Sequence, residues 1–218
     1  MIEWENIDTV LLDMDGTLLD LNFDNHFWLE FVPLRYAQKN NLTLEQAKQH
    51  LIPQFKKMEG KLEWYCLDYW SDCLTLDITA LKAEISGLVS ILPHVIEFLE
   101  GVKQSSRRLV LVTNAHRNGL DIKMKETCLH HFFEQIISSH DYGFPKEDQR
   151  FWSQLKEQQA FNHNKTLLVD DSLAVLNAAQ SFGIKYLVSI SKPDSQQAIR
   201  IIDNFPAIED FRELMTGL

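Results

Sequence analysis

The sequence predicts an α/β protein, an open Rossmann-like sheet of parallel strands with helices on both faces and a helical insertion after the first strand. Three observations carry this. The runs Val10-Leu11-Leu12, Leu109-Val110-Leu111-Val112 and Thr166-Leu167-Leu168-Val169 are near-continuously aliphatic, as strands covered on both faces are. Amphipathic helical patterns separate the runs, which implies right-handed crossovers between parallel strands. Residues 22–90 break the alternation, with no strong β run and several helical stripes.

In chain order, the first strand spans Val10 to Leu12 and ends at Asp13. Phe27, Phe31, Val32 and Tyr36 then form a helical stripe, and Thr43-Leu44-Glu45-Gln46 has the form of a capping box opening a helix that runs to Met58. Further helices are expected over 62–73 and 78–86. The alternation resumes with a helix over 95–104, where Ile96, Leu99 and Val102 share one face, and a strand ending at Thr113-Asn114. A helix over 118–128, a weaker strand over 135–138 and a helix over 149–160 follow. The strand 166–169 ends at Asp170-Asp171. Ser172 suits the N-cap of a helix that Gly183 stops. A weaker strand over 186–190 and a helix over 195–204 complete the pattern. The expected division is a core domain, 1–21 with 91–218, and a helical domain, 22–90.

The chain has 218 residues, 45 % of them hydrophobic, enough for one mid-sized core carrying a smaller insert. Its net charge of −10 repels nucleic acid and anionic membranes, so neither is an expected partner. Cys66, Cys73 and Cys128 are scattered, matching neither a disulfide framework nor a zinc pattern. The opening residues lack a secretory signature and no apolar run is long enough to span a bilayer, so a cytoplasmic location is expected.

The strand ends carry the chemistry. Asp13 and Asp15, one residue apart, point the same way, and two like charges so close call for a cation. Gly16 permits a sharp turn and Thr17 adds a hydroxyl. Asp-x-Asp-Gly is also a good turn former, Thr113-Asn114 a plain strand exit, Lys146 a common kind of surface lysine, and Asp170-Asp171-Ser172 a helix cap. In an open parallel sheet, however, ligands bind beyond the carboxyl ends of the strands, where these groups converge.

In this order the four clusters resemble the motifs of the haloacid dehalogenase superfamily. Asp13-Met14-Asp15-Gly16-Thr17-Leu18 is similar to its first motif, Val112-Thr113-Asn114 to the second, Lys146 to the third and Val169-Asp170-Asp171-Ser172 to the fourth; the insert is similar to its helical cap. One departure is visible: Pro145 precedes the lysine, where many relatives with this cap place a proline after it. The resemblance implies phosphate ester hydrolysis through an aspartyl phosphate. Asp13 would be the nucleophile and Asp15 the general acid and base. Thr113 and the region of Asn114 would bind the phosphoryl group, and Lys146 would pair with both phosphate and Asp13. Mg²⁺ would be held by Asp13, Asp170, Asp171 and the carbonyl of Asp15. Relatives that displace halide lack the second aspartate, so Asp15 favours phosphate esters.

Longer strings narrow the resemblance. Leu19-Asp20-Leu21-Asn22-Phe23-Asp24-Asn25-His26-Phe27-Trp28, the stretch from Trp64 to Ser71 and Gly143-Phe144-Pro145-Lys146-Glu147-Asp148-Gln149-Arg150 resemble the bacterial purine 5′-nucleotidases that act on GMP and IMP. Trp64, Tyr65, Tyr69 and Trp70 would mostly fill the cap core, leaving one or two to touch a base; Asp24 or Asp68 would accept from the ring N–H groups of a 6-oxopurine. A sugar-phosphate or phosphoglycolate phosphatase and a phosphomutase are the alternatives, and a vestigial binding protein the third.

Overall fold

The computed structural model describes residues 2–218. Six strands form one sheet in the order β3-β2-β1-β4-β5-β6: β1 (Thr9–Leu12), β2 (Arg108–Thr113), β3 (Gln135–Ser138), β4 (Thr166–Val169), β5 (Tyr186–Ile190) and β6 (Ala207–Ile208). All adjacent pairs are parallel. Successive residues bury against opposite faces. Val10, Leu12, Leu109, Leu111, Leu167 and Val169 pack into one cluster, and Leu11, Val110, Val112 and Leu168 into another. On the first face lie α7 (Val95–Gln104) and α8 (Arg117–Thr127), through Phe98, Leu99, Leu120 and Met124. On the second lie α9 (Gln149–Gln159) and α10 (Leu173–Phe182), through Phe151, Trp152, Leu176 and Ala179. Each fully buried aliphatic or aromatic side chain here contributes about 1.5–3 kcal/mol.

Between Asn22 and Leu88 the described backbone is helical, with α1 (Asn22–His26), α2 (Val32–Asn40), α3 (Leu44–Met58), α4 (Leu62–Tyr65), α5 (Leu67–Leu74) and α6 (Ile78–Glu84). These bury a separate cluster that includes Phe27, Leu51, Phe55, Leu67, Trp70 and Ile78. A widened π turn over Phe27–Phe31 joins α1 to α2. Pro33 near the start of α2 has no N–H to give and crowds the carbonyl a turn earlier, which the wider turn absorbs. Thr43 and Gln46 form the expected capping box of α3.

Three local expectations differ from the structure. The helix expected over 62–73 breaks at Cys66, whose Sγ accepts from the Tyr69 N–H at 3.4 Å and caps α5, while the Trp70 indole N–H takes the Trp64 carbonyl at 3.0 Å. Residues 195–204 are not helical. Asp194 holds the Gln196 N–H at 2.8 Å in a local turn and Asn25 Nδ2 at 2.6 Å, and the Arg200 N–H returns to the Ser191 carbonyl at 2.8 Å. Ile199 and Ile201 are exposed, so no apolar face drives a helix there. The strand β6 has two residues, too short to show a period.

Two chain crossings join the helical segment to the sheet, and they pair with each other. Leu19 bridges Ile91 in antiparallel fashion, and the Asp20 N–H donates to the Ser90 carbonyl at 2.9 Å. Asp20 Oδ1 also accepts from the Asn22 and Ser195 N–H groups, each at 3.0 Å.

Candidate active site

Strand register builds the site. Leu12 pairs with Leu111 of β2 and with Val169 of β4, so Asp13 leaves the sheet between the ends of two neighbours, beside Asp170 and near Thr113. The Asp13 N–H donates to the Val169 carbonyl at 3.0 Å. Lys146 enters from the loop before α9 and is 1 % exposed. Its Nζ donates to Asp13 Oδ1 at 2.5 Å, Asp170 Oδ2 at 2.7 Å and the Val112 carbonyl at 3.0 Å, which uses its three donors. Its own backbone is clamped: the N–H donates to Asn114 Oδ1 at 2.9 Å, and its carbonyl accepts from Trp152 Nε1 at 2.7 Å. The preceding Pro145 therefore does not prevent the reach.

Burial raises the Asp13 carboxyl to about 6 against the pull of Lys146. Burial would lower the lysine, but Asp13 and Asp170 together hold it protonated well above its usual range. Asp171 is pushed well up by burial and then by Asp13 and Asp170. Asp13, Asp170 and Asp171 each offer an oxygen within 4.8 Å of the other two. One lysine does not balance three gathered carboxylates, and the donors are all hard oxygens, so the set fits a cation such as Mg²⁺. The Asp15 carboxylate is not in this cluster. Only its backbone carbonyl, the atom implied by the resemblance, is left for a metal.

The turn after Asp13 is shaped by close approach. Gly16 has φ +81°, and a Cβ there would lie 2.7 Å from Asp171 Cγ. Thr17 is fully buried and its Oγ1 accepts from the Asp171 N–H at 3.2 Å. Thr113 Oγ1 accepts from the Ala115 N–H at 3.0 Å, leaving its hydroxyl proton to donate elsewhere. The Asn114 side chain braces the lysine loop: besides holding the Lys146 N–H, its Nδ2 donates to Glu147 Oε2 at 3.0 Å.

Asp15 belongs to a second buried network. Lys123 Nζ donates to Asp15 Oδ1 and Asp24 Oδ2, both at 2.6 Å, and Lys82 Nζ to Asp24 Oδ1 at 2.6 Å. Burial raises Asp15 to about 6, with Lys123 opposing and Asp24 and Asp13 adding to the rise. Asp24 goes the other way: two lysines overcome its burial and hold it below the usual carboxylate range. A cavity of about 370 Å³ opens above these groups. Asp13, Thr113 and Asp171 line its floor, and Trp28, Trp64 and Tyr65 of the helical segment line its wall.

Residues 10–189 match the sequence profile of the haloacid dehalogenase-like hydrolases. The chain belongs to this family. The hydrolase is 42 % identical, over all of its length and 98 % of theirs, to the proteins named GMP/IMP nucleotidase YrfG of Escherichia coli (strain K12) and Shigella flexneri. Its fold is shared by a HAD phosphatase from Thermococcus onnurineus, with TM-score 0.80, 20 % identity and coverage of 96 % of this chain and 97 % of that one. It is also shared by the HAD-hydrolase YfnB from Bacillus subtilis bound to magnesium, with TM-score 0.66, 20 % identity and coverage of 96 % and 97 %.

The structure of the hydrolase brings Asp13, Asp15, Thr113, Asn114, Lys146, Asp170 and Asp171 to one crevice. Asp24 lines the cavity, and each of its oxygens accepts from a lysine. Asp68 faces the His116 Nε2 at 3.5 Å and does not line the cavity. Trp70 is core, whereas Trp64 and Tyr65 reach the cavity. His116 is largely buried and lines the cavity.

Sequence reasoning missed Lys123, Lys82, Glu147 and Arg200. A signal existed for the first two. Lys123 falls on the stripe of Leu120 and Met124, and Lys82 lies one turn from Ile78, so each is a charge on an apolar face. Glu147 accepts from the Tyr65 hydroxyl at 2.6 Å, tying the helical segment to the lysine loop. Arg200 donates to the Asp171 carbonyl at 2.9 Å. Neither contact has a local sequence signature.

Proposed function

We propose that this hydrolase removes phosphate from purine nucleoside 5′-monophosphates, GMP and IMP foremost, with Mg²⁺ as cofactor. The observation that carries the reading is one cavity whose floor is the Asp13–Lys146–Asp171 cluster and whose wall is aromatic. Full-length identity to proteins named GMP/IMP nucleotidases supports the choice of ester. Residues 22–90 act as a cap on a core made of 1–21 and 91–218, and the paired crossings at Leu19 and Ile91 are its hinge.

In this reading Asp13 attacks phosphorus in line, and the P–O bond to the nucleoside breaks as the Asp13–phosphorus bond forms. Lys146 orients the carboxylate and balances charge that develops on the phosphoryl oxygens. The Thr113 hydroxyl and the N–H groups at Met14 and Asn114 hold those oxygens. Asp15, raised to about 6 chiefly by burial, gives its proton to the departing 5′ oxygen and then takes one from the water that cleaves the aspartyl phosphate. Bound at Asp13, Asp170, Asp171 and the Asp15 carbonyl, Mg²⁺ supplies neutralisation of clustered negative charge. Trp64 or Tyr65 offers a face for the purine, where stacking is worth about 1–3 kcal/mol.

The test is phosphate release from GMP, IMP, AMP, CMP, glucose 6-phosphate and phosphoglycolate, with Mg²⁺ present. Highest kcat/KM on GMP or IMP is expected. Preference for phosphoglycolate or a sugar phosphate would overturn the nucleotide reading, and isomerisation without phosphate release would place the protein among mutases.

A further inference from the structure

The cysteine spacing matches no zinc pattern, yet the fold gathers three soft ligands away from the carboxylate cluster. Cys66, His116 and His140 each offer a ligand atom within 4.8 Å of the other two. Cys66 lies at the break between α4 and α5, and the histidines lie in the loops after β2 and β3. We propose that Cys66, His116 and His140 bind a borderline-soft divalent cation, zinc by their chemistry, which joins the helical segment to the sheet.

Two orphaned atoms support this. His116 Nδ1 and His140 Nε2 are buried and have no hydrogen-bond partner. A buried polar atom without a partner costs about 1–3 kcal/mol, so both call for an explanation. In His116 the other nitrogen faces a carboxylate, Nε2 lying 3.5 Å from Asp68 Oδ2. A carboxylate behind one imidazole nitrogen, with the other left bare, is the arrangement that orients a metal-binding histidine. The two rings meet edge to face at 4.9 Å between centroids.

The scaffold is preorganised. Ser138 Oγ donates to the Ala115 carbonyl at 2.7 Å and Arg117 Nε to Asp141 Oδ1 at 2.8 Å, so both histidine loops are tied together on either side of the rings. On the cap side, the Cys66 sulfur accepts from the Tyr69 N–H at 3.4 Å at the start of α5, which fixes its position. Binding releases the Cys66 thiol proton to solvent and leaves a fourth position open.

The experiment uses the full chain, stripped with chelator and then held in excess Mg²⁺ to fill the carboxylate cluster, and titrates Co²⁺. One equivalent should bring up thiolate-to-cobalt charge-transfer absorption, which Zn²⁺ then abolishes. Cys73→Ser and Cys128→Ser should keep this absorption and Cys66→Ser should lose it. Asp68→Asn should weaken cobalt binding by about 10- to 100-fold. Since Cys66 also caps α5, His140→Gln serves as a second variant with the sulfur in place, and it too should bind cobalt more weakly. Absence of thiolate absorption in the wild type, its survival in Cys66→Ser, or undiminished affinity in His140→Gln would overturn the proposal. None of these outcomes depends on the phosphatase reading.

Discussion

Gly16→Ala separates the two reasons for glycine in the first loop. The backbone there sits at φ +81°, where an L side chain costs about 1–2 kcal/mol. For a chain of this size each kcal/mol moves Tm by about 2–4 °C, so roughly 2–8 °C is expected from the backbone alone. The new Cβ would also stand 2.7 Å from Asp171 Cγ and 2.8 Å from Asp171 Oδ2. Ordinary carbon contacts lie near 3.5–4.0 Å, so the carboxylate must retreat by about 1 Å. Displacement on that scale costs on the order of 100-fold in rate. Gly60→Ala is the control, since Gly60 has φ +77° and nothing within 4 Å of a built Cβ. Thermal melts by circular dichroism and phosphate release from GMP would be measured for both variants. A similar fall in Tm for the two, with the rate loss confined to Gly16→Ala, is expected. Gly16→Ala retaining wild-type turnover would refute the argument that contact between Gly16 and Asp171 sets the geometry.

Further outcomes follow from the same contacts. Asp13→Asn should abolish turnover while keeping the native circular dichroism spectrum, because an amide cannot attack phosphorus; substantial residual turnover would remove Asp13 as nucleophile. Lys123→Met leaves Asp15 and Asp24 short of a buried cation. Breaking such a pair costs about 3–5 kcal/mol, which at this chain length is roughly 6–20 °C in Tm; an unchanged melt would show that the network bears no stability. Chelation should stop phosphate release, and Mg²⁺ at 100 times its Kd should add about 2.7 kcal/mol of stability to the stripped protein, an increment that Asp171→Asn removes. The Arg150 side chain and N–H hold Asp148 down to about 2, against about 3.9 in an unfolded chain. Its contribution is present above pH 4 and disappears as pH falls from about 4 to 2. Asp148→Asn should therefore lose less stability across that window than the wild type, as melts at pH 5 and pH 2.5 would reveal.

The strands and their polar ends were legible because each signal is local. An aliphatic run followed by Asp13, Thr113 or Asp170 needs no knowledge of its neighbours, and parallel topology sends all such ends to one edge of the sheet. Helices with an amphipathic stripe and a cap, such as α3 and α10, were equally plain. The segment 195–204 misled because its spacing suits a helix while its contacts do not. Asp194 and Arg200 spend their hydrogen-bonding groups on distant residues of α1 and of β5.

From the sequence alone came the order of β1 to β5 and of most helices, the helical insertion after the first strand, and the four polar clusters that the fold brings to one crevice. Tertiary structure alone decided which charges pair. Lys123 reaches back 108 residues to Asp15, Tyr65 reaches forward 82 to Glu147, and Cys66 comes to rest beside His116 and His140. The physical reason is range. Propensity and periodicity are read within a turn or two of chain, whereas the energy of a buried charge or an unpaired nitrogen depends on whatever the fold packs against it.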